Sequence, residues 1–474
     1  MEIIKDYLYL NIARQFESQI RDGVLKMGDK LPSVRQVSRE RGISINTITQ
    51  AYLELESLSL IESRPKSGFY VCYSQKRNLP VPSPSKPPLS ALHQLEEDLI
   101  DKVYDSMREK NITLLSLGFP AAELLPIAKL NKGLVHAMRT LPDSGTGYEP
   151  VPGNEKLRNE IARLSFSWGG NLKAEDIVTT PGCISALSYC LTALAGPGDT
   201  IIVESPAYFG ILQLAKSLRL KVIELPTNFI TGIELDALKN TLSKRRIAAC
   251  VLISNFNNPS GSLMPADHKK EVVRLMEYHN IPLIEDDIYG ELYFGSHRPT
   301  NCKTYDESGL VLCCSSVSKT LAPGYRVGWV SPGRFKDQIM RTKLHHSLSS
   351  ASITQEVVAD FLKNGRYENH LRKIRATLYN NYRNYVKTIN EHFPDHVKLT
   401  QPQGGFFLWL ELEKGFDVIS LYEKAMRFNI SIAPGRMFSL HKQFQNCMRL
   451  NYGMYWNKEL EKSLEILGML ISKT

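Results

Sequence analysis

Hydrophobic and polar positions along the chain fall into two regimes. Between residues 29 and 71, short apolar stripes recur at helical spacing. Val34 and Val37 follow Ser33, and Ile48, Ala51, Tyr52 and Leu55 follow Ser44. Ser33 and Ser44 are predicted N-caps, because a serine hydroxyl accepts from the unpaired amides of a first helical turn. Gly42 is the predicted stop of the first helix, beyond Arg41. "RPKSGFYV" (64–71) predicts a turn and a strand, hence a short hairpin. Later in the chain, apolar β-branched runs at 200–203, 248–253, 282–284 and 310–314 alternate with amphipathic helical stretches. That alternation predicts an α/β domain with a mainly parallel sheet covered by helices. Between the regimes, "RNLPVPSPSKPPLS" (77–90) places prolines at 80, 82, 84, 87 and 88. It excludes a helix or central strand and predicts an extended, semi-rigid spacer of ~3.1 Å per residue. "LSALHQLEEDLIDKVYDSMREKN" then has helical spacing. The expected division is a small, mainly α domain at 1–72, a linker and connecting helix at 73–111, and the α/β domain at 112–474.

Composition narrows the classes. A chain of 474 residues, 43% hydrophobic, is too long for one ordinary domain. It holds no run of eighteen apolar residues, which argues against a membrane span. The start, "MEIIKDYLYLNIARQF", lacks the apolar core of a signal peptide. Eight cysteines without paired CxxC spacing read as reduced thiols of a cytoplasmic protein, with no metal-ligand pattern. The net charge of +9 permits nucleic-acid binding without establishing it.

In a helix-turn-helix, the N-terminal end of the second helix enters the major groove. Here that end is Ser44, Ile45, Asn46 and Thr47, with Arg35 at the start of the helix before it. Residues 1–72 carry ten basic against nine acidic side chains, a weak overall footprint. The basic ones concentrate where contact is expected, at Lys30, Arg35, Arg39, Arg41, Arg64 and Lys66. The residues by themselves leave a DNA-binding and a protein-binding module both open. The stretch from Asp22 to Val71 resembles the winged helix-turn-helix of GntR-type regulators nearly position by position. That resemblance implies contacts to double-stranded DNA from Arg35, Ser44, Asn46, Thr47, Arg64, Lys66 and Gly68.

Five stretches of the large domain carry candidate chemistry. "SSVSKTLAPGYRVGWV" (315–330) sets Lys319 and Arg326 after an apolar strand. "TTPGCISALSYCL" (179–191) reads as strand end, glycine turn and helix start, a phosphate cradle or a plain helix cap. "ESPAYFG" (204–210) puts Tyr208 on a loop after a strand, where an aromatic by itself reads as core packing. "NFNNPSGSLM" (255–264) places Asn258 at a strand end, and "IEDDIYGELYF" (284–294) clusters acids there, as a metal site or an N-cap.

Together, in this order and with "QPQGGFFLWLEL" (401–412) and "MRLNYG" (448–453), they resemble the fold-type I pyridoxal-phosphate aminotransferases over roughly residues 115 to 472. The resemblance implies a covalent link from Lys319 to pyridoxal 5'-phosphate, a role suited to a desolvated amine. Asp286 would face the pyridine nitrogen and sustain the ring as an electron sink. Asn258 and Tyr289 would bond the phenolic oxygen, and Tyr208 would stack on the ring. The amides of Gly182, Cys183 and Ile184, with Ser316 and Arg326, would hold the phosphate. Arg449 would clamp a carboxylate, and Tyr148 would reach the partner subunit's phosphate.

A GntR-like domain joined to such a domain resembles the MocR subfamily, and "ESPAYFG", "EDDIYGELYFG" and "APGRMFS" are close to its wording. This implies a cytoplasmic, homodimeric, pyridoxal-phosphate-dependent transcriptional regulator. It would bind an operator and sense the cofactor or an amino compound. The competing reading is a working aminotransferase with an accessory small domain.

Overall fold

The computed structural model describes residues 8–57, 60–64, 67–71, 79–90, 92, 97–108, 111–363, 365–441 and 443–473. The chain divides into two compact units, Met1–Asn78 and Leu79–Thr474.

In the small unit, helix α1 (Leu8–Arg21) buries Ile12, Ala13, Phe16 and Ile20, a spacing that keeps them on one face. Helix α2 (Val34–Arg41) starts where the Ser33 hydroxyl accepts from the Gln36 amide at 3.1 Å. It stops at Gly42, whose φ of 63° is left-handed. Helix α3 (Ile45–Ser57) turns Ile48, Ala51, Tyr52 and Leu55 inward, each fully buried. Strands β1 (Ile61–Arg64) and β2 (Gly68–Val71) form an antiparallel hairpin from the Ile61–Val71 pair to the Arg64–Gly68 pair. Tyr52 is the keystone. Its ring meets Phe16 and Phe69 edge-on at 5.5 and 5.1 Å, and its hydroxyl donates to the Pro32 carbonyl at 2.8 Å. A buried Tyr stays cheap only because the hydroxyl has that acceptor.

The large unit centres on an eight-stranded sheet. Its strands are β3 (Val178–Thr180), β4 (Thr200–Ser205), β5 (Lys221–Asn228), β6 (Gly232–Ile233), β7 (Ala249–Leu252), β8 (Leu283–Asp286), β9 (Val311–Ser316) and β10 (Gly328–Ser331). Their spatial order is β3-β10-β9-β8-β7-β4-β5-β6. The five strands from β9 to β5 are mutually parallel, while β10 runs antiparallel between β9 and β3 and β6 runs antiparallel at the far edge. The four β-branched runs lie on β4, β7, β8 and β9, buried on both faces as parallel strands require. A second, antiparallel sheet holds β11 (Lys398–Leu399), β12 (Phe407–Glu411), β13 (Ala433–Pro434) and β14 (Cys447–Asn451).

The described part of the proline-rich segment is extended, but it is laid on the large unit rather than left as a spacer. The Leu399 amide donates to the Pro80 carbonyl at 2.9 Å, and Ser85 and Thr227 exchange bonds of 3.1 and 2.9 Å. Leu79, Pro82 and Pro87 are buried. The connecting helix is also shorter than its spacing suggested. It spans Glu97–Asp105, and Leu92 pairs as a strand residue with Val222 instead.

Candidate functional site

Parallel strands deliver their carboxyl ends to one edge of a sheet, where α/β folds bind ligands. Asp286 closes β8, Ser316 closes β9, Tyr208 follows β4, and Asn258 follows β7. The two antiparallel steps through β10 return β3 to the same direction, so Thr180 and the glycine turn join that edge.

Lys319 ends a single helical turn that follows β9, and its amine donates to the Gly118 carbonyl. The residue keeps some exposure, yet its amine sits in a low-dielectric setting. Burial first, then the nearby Arg449 charge, lowers it to about 8. Asp286 is 3% exposed, and burial raises its carboxyl to about 6. Lys319 and Asp286 each favour the other's charged form.

Asn258, Tyr289 and Arg449 are linked side by side. Asn258 Nδ2 donates to the Tyr289 hydroxyl at 3.3 Å, and the Arg449 guanidinium donates to Asn258 Oδ1 at 2.7 Å and to the Ser116 carbonyl. Arg449 is 1% exposed, and the rings of Phe407 and Phe438 lie 4.3 and 5.0 Å from its guanidinium carbon. No carboxylate pairs with it among the described contacts, and its Nε has no partner. Burial lowers the guanidinium to about 10, which still leaves it charged at neutral pH. A buried cation without an anion is costly unless something arrives to pair with it. Tyr208 completes this wall, and burial pushes its phenol well up.

Gly182 caps the helix α4 (Cys183–Leu194) with a φ of 91°. Its conformation favours glycine, and a Cβ there would displace the Arg326 guanidinium that lies across the turn. Arg326 donates to Ser318 Oγ at 3.4 Å and to the Pro181 carbonyl at 3.2 Å, which holds it across the glycine turn. Ser316 Oγ accepts from the Ser318 amide at 3.1 Å. The Ile184 side chain is 40% exposed, so its contribution to a cradle is confined to its amide. Tyr148 is 85% exposed, and no described bond joins it to this cluster.

Ser318, Tyr104 and the thiol role of Cys183, a residue expected only for its amide, were not singled out by sequence. Ser318 contacts Arg326, and the position just before Lys319 was its only signal. The Cys183 thiol donates to Asp286 Oδ1 at 3.2 Å, across 103 residues of sequence. Tyr104, on the connecting helix, packs edge-on against Phe209 at 5.9 Å.

In the small unit Arg35, Ser44 and Asn46 are exposed and Thr47 half-buried, along the entry of α2 and α3. Ser44 Oγ is committed to capping: it accepts from the Thr47 amide at 3.2 Å and pairs with the Thr47 hydroxyl at 2.8 Å. Arg64 lies over Tyr70 at 4.3 Å and pairs with Glu62 at 2.7 Å, and Gly68 has a φ of 110° at the strand start. Lys66 lies outside the described residues.

The donor set fits pyridoxal phosphate: a lysine amine poised near neutrality, a buried carboxyl, an amide–phenol pair, and a glycine cradle that a Cβ would fill.

Comparisons with known proteins agree with this layout. Residues 111–467 match the aminotransferase class I and II family, and residues 8–71 match the bacterial regulatory proteins of the gntR family. The chain is 36% identical to the uncharacterized HTH-type transcriptional regulator YjiR of Escherichia coli (strain K12), over 97% of this chain and 98% of that one. It is 35% identical to the uncharacterized HTH-type transcriptional regulator YdcR of the same strain, over 98% and 99%. Among solved structures, LysN of Thermus thermophilus, an α-aminoadipate aminotransferase complexed with N-(5'-phosphopyridoxyl)-L-leucine, superposes with a TM-score of 0.73. Its identity is 27%, over 78% of this chain and 94% of that one. The chain therefore belongs to the aminotransferase class I and II family, carries a gntR-family domain at its start, and is related over its length to HTH-type transcriptional regulators.

Proposed function

We propose that this protein is a transcriptional regulator of the MocR kind, whose large unit binds pyridoxal 5'-phosphate and reads a carboxylate-bearing amino compound. Its small unit binds operator DNA through Arg35, Asn46, Thr47, Arg64 and Lys66. The functional boundaries are the small domain at 1–72, the connecting segment at 73–111 and the sensing domain at 112–474, working as a cytoplasmic homodimer. The observation that carries the reading is Arg449: a fully buried guanidinium without a carboxylate, electrostatically coupled to a lysine amine of lowered pKa.

When bound, the cofactor supplies an aldehyde and an electron-withdrawing pyridine ring. The residues do the rest. Lys319, near 8, holds its proton more weakly than an ordinary lysine, so a larger share of it is free, nucleophilic amine near neutral pH. Asp286 is ionised above about 6 and can keep a ring nitrogen protonated. Asn258 and Tyr289 orient a phenolic oxygen, and Tyr208 covers the ring. Gly182, Cys183 and Ile184 offer helix-start amides to the phosphate, beside the Arg326 cation. Arg449 offers a fork to a carboxylate, and its bond to Asn258 joins that event to the cofactor's own contacts.

The test is a spectral titration of the full chain with pyridoxal phosphate. Native protein should develop the visible absorbance of lysine-bound cofactor, and Lys319→Ala should not. An unchanged spectrum in Lys319→Ala refutes the assignment. Sustained turnover with a keto-acid acceptor would favour a working aminotransferase instead.

A further inference from the structure

The thiol of Cys183 lies against the carboxyl that would serve the cofactor ring. Cys183 opens α4 and is 4% exposed, and Asp286 closes β8 and is 3% exposed. Sγ donates to Asp286 Oδ1 at 3.2 Å, and the Ile288 amide donates to the same oxygen at 3.2 Å. Both described bonds fall on Oδ1, which leaves Oδ2 as the oxygen available to a ligand. The left-handed Gly182 aims the first turn of α4, and its φ of 91° would strain any side chain placed there. The thiol's reach to Asp286 is thus built into the same turn that forms the phosphate cradle.

We propose that Cys183 is a positioning residue for Asp286. Its S–H locks one carboxylate oxygen so that the other is presented, ionised, to the pyridine nitrogen of bound pyridoxal phosphate. The inference rests on the cofactor reading above and adds a side-chain role to a residue otherwise expected to act only through its amide.

Three observations support it. A hydrogen bond donated to a carboxylate favours the charged form, which opposes the burial that pushes Asp286 up. The donor stays a thiol, because burial and then the Asp286 charge push Cys183 far above its ordinary value. The other groups facing Asp286 do not replace it. Asp287 disfavours its charge, while Lys319 supports it; the phenols of Tyr208 and Tyr289 stay neutral, burial and the Asp286 charge both pushing them up. Lys319 acts on this carboxyl through its charge alone, its amine donating to the Gly118 carbonyl, so the thiol and the Ile288 amide are the described hydrogen-bond donors to it.

The test uses the full chain and three variants. Cys183→Ala and Cys183→Val remove the donor, Val with little loss of bulk, and Cys183→Ser keeps a donor. Two quantities are read: pyridoxal phosphate affinity by equilibrium dialysis, and the pH edge of affinity and visible absorbance near 6 that Asp286 sets. Losing a hydrogen bond to a charged group should weaken binding about tenfold in Ala and Val. It should also move the pH edge upward by about one unit, since an unsupported carboxylate is harder to ionise. Cys183→Ser should stay near native in both. An unmoved edge in Ala and Val overturns the inference, as does a serine variant that behaves like valine, since packing would then explain the effect. If native protein does not take up pyridoxal phosphate at all, the cofactor reading itself fails and this inference with it.

Discussion

Replacing Arg449 by Met should separate what the large unit senses from what it holds. Arg449 is 1% exposed, bonded to Asn258 at 2.7 Å and to the Ser116 carbonyl, flanked by two phenyl rings, and unpartnered at Nε. A carboxylate seated there would form a desolvated, charge-assisted pair. Truncating one partner of such a pair costs ~2–5 kcal/mol, or about 30- to 4,000-fold in affinity at ~1.4 kcal/mol per decade. Cofactor affinity should fall much less, by about fivefold, the value of one ordinary hydrogen bond lost at Asn258. Removing the cation also frees Lys319 from its second-largest perturbation, so its amine should move up from about 8 by about one unit. The pH above which cofactor is captured should rise with it. The assay is calorimetric titration of cofactor-loaded full-length protein with a carboxylate-bearing amine and with the same amine lacking its carboxylate. A pH titration of visible absorbance accompanies it. Arg449→Lys keeps the charge and should leave the Lys319 midpoint in place while losing most of the discrimination. If Arg449→Met binds the two amines as native protein does, Arg449 is not the carboxylate site.

Two further outcomes follow from the geometry. Glu204 accepts from the Ile253 amide and Asn257 Nδ2 at 2.8 and 2.9 Å on one oxygen, while its other oxygen is unpartnered, and burial raises it from 4.5 to about 7. A raised carboxyl stabilises the fold below 4.5 and loses that contribution as pH climbs through 7, about 3 kcal/mol in all. Glu204→Gln should remove that slope in urea unfolding at about pH 5 and 8, and an unchanged slope counts against the assignment. Arg35→Ala should weaken operator binding by ~1–3 kcal/mol if Arg35 forks a base, or reduce the salt slope by about one if it meets a phosphate. Unaltered affinity and salt slope would remove Arg35 from the DNA face.

Much of this architecture was legible because local chemistry repeats it. Ser33, Gly42 and Ser44 mark helix ends by hydroxyl capping and a left-handed φ. The runs on β4, β7, β8 and β9 are uniformly apolar because parallel strands bury both faces. Lys319, Asp286 and Asn258 could be placed because each follows such a run. What stayed hidden is what long-range packing decides. Prolines dictate that residues 79–90 are extended but not that Ser85 would pair with Thr227. Leu92 lies in a stretch of helical spacing, yet Val222 claims it for a strand pairing. Cys183 and Asp286 stand 103 residues apart, and no spacing rule joins a thiol to a carboxyl at that distance. Arg449 could be read as a carboxylate clamp, while its bond to Asn258, 191 residues away, could not.

The central claim is that cofactor chemistry at Lys319 governs DNA binding. It is tested most directly by measuring operator affinity of purified full-length protein, with and without pyridoxal phosphate, in native and Lys319→Ala forms. The operator is first selected from genomic fragments bound by the native protein. The account predicts an affinity that changes severalfold with cofactor in the native form and not in Lys319→Ala. Equal affinity with and without cofactor in native protein, or no fragment retained at all, would contradict it.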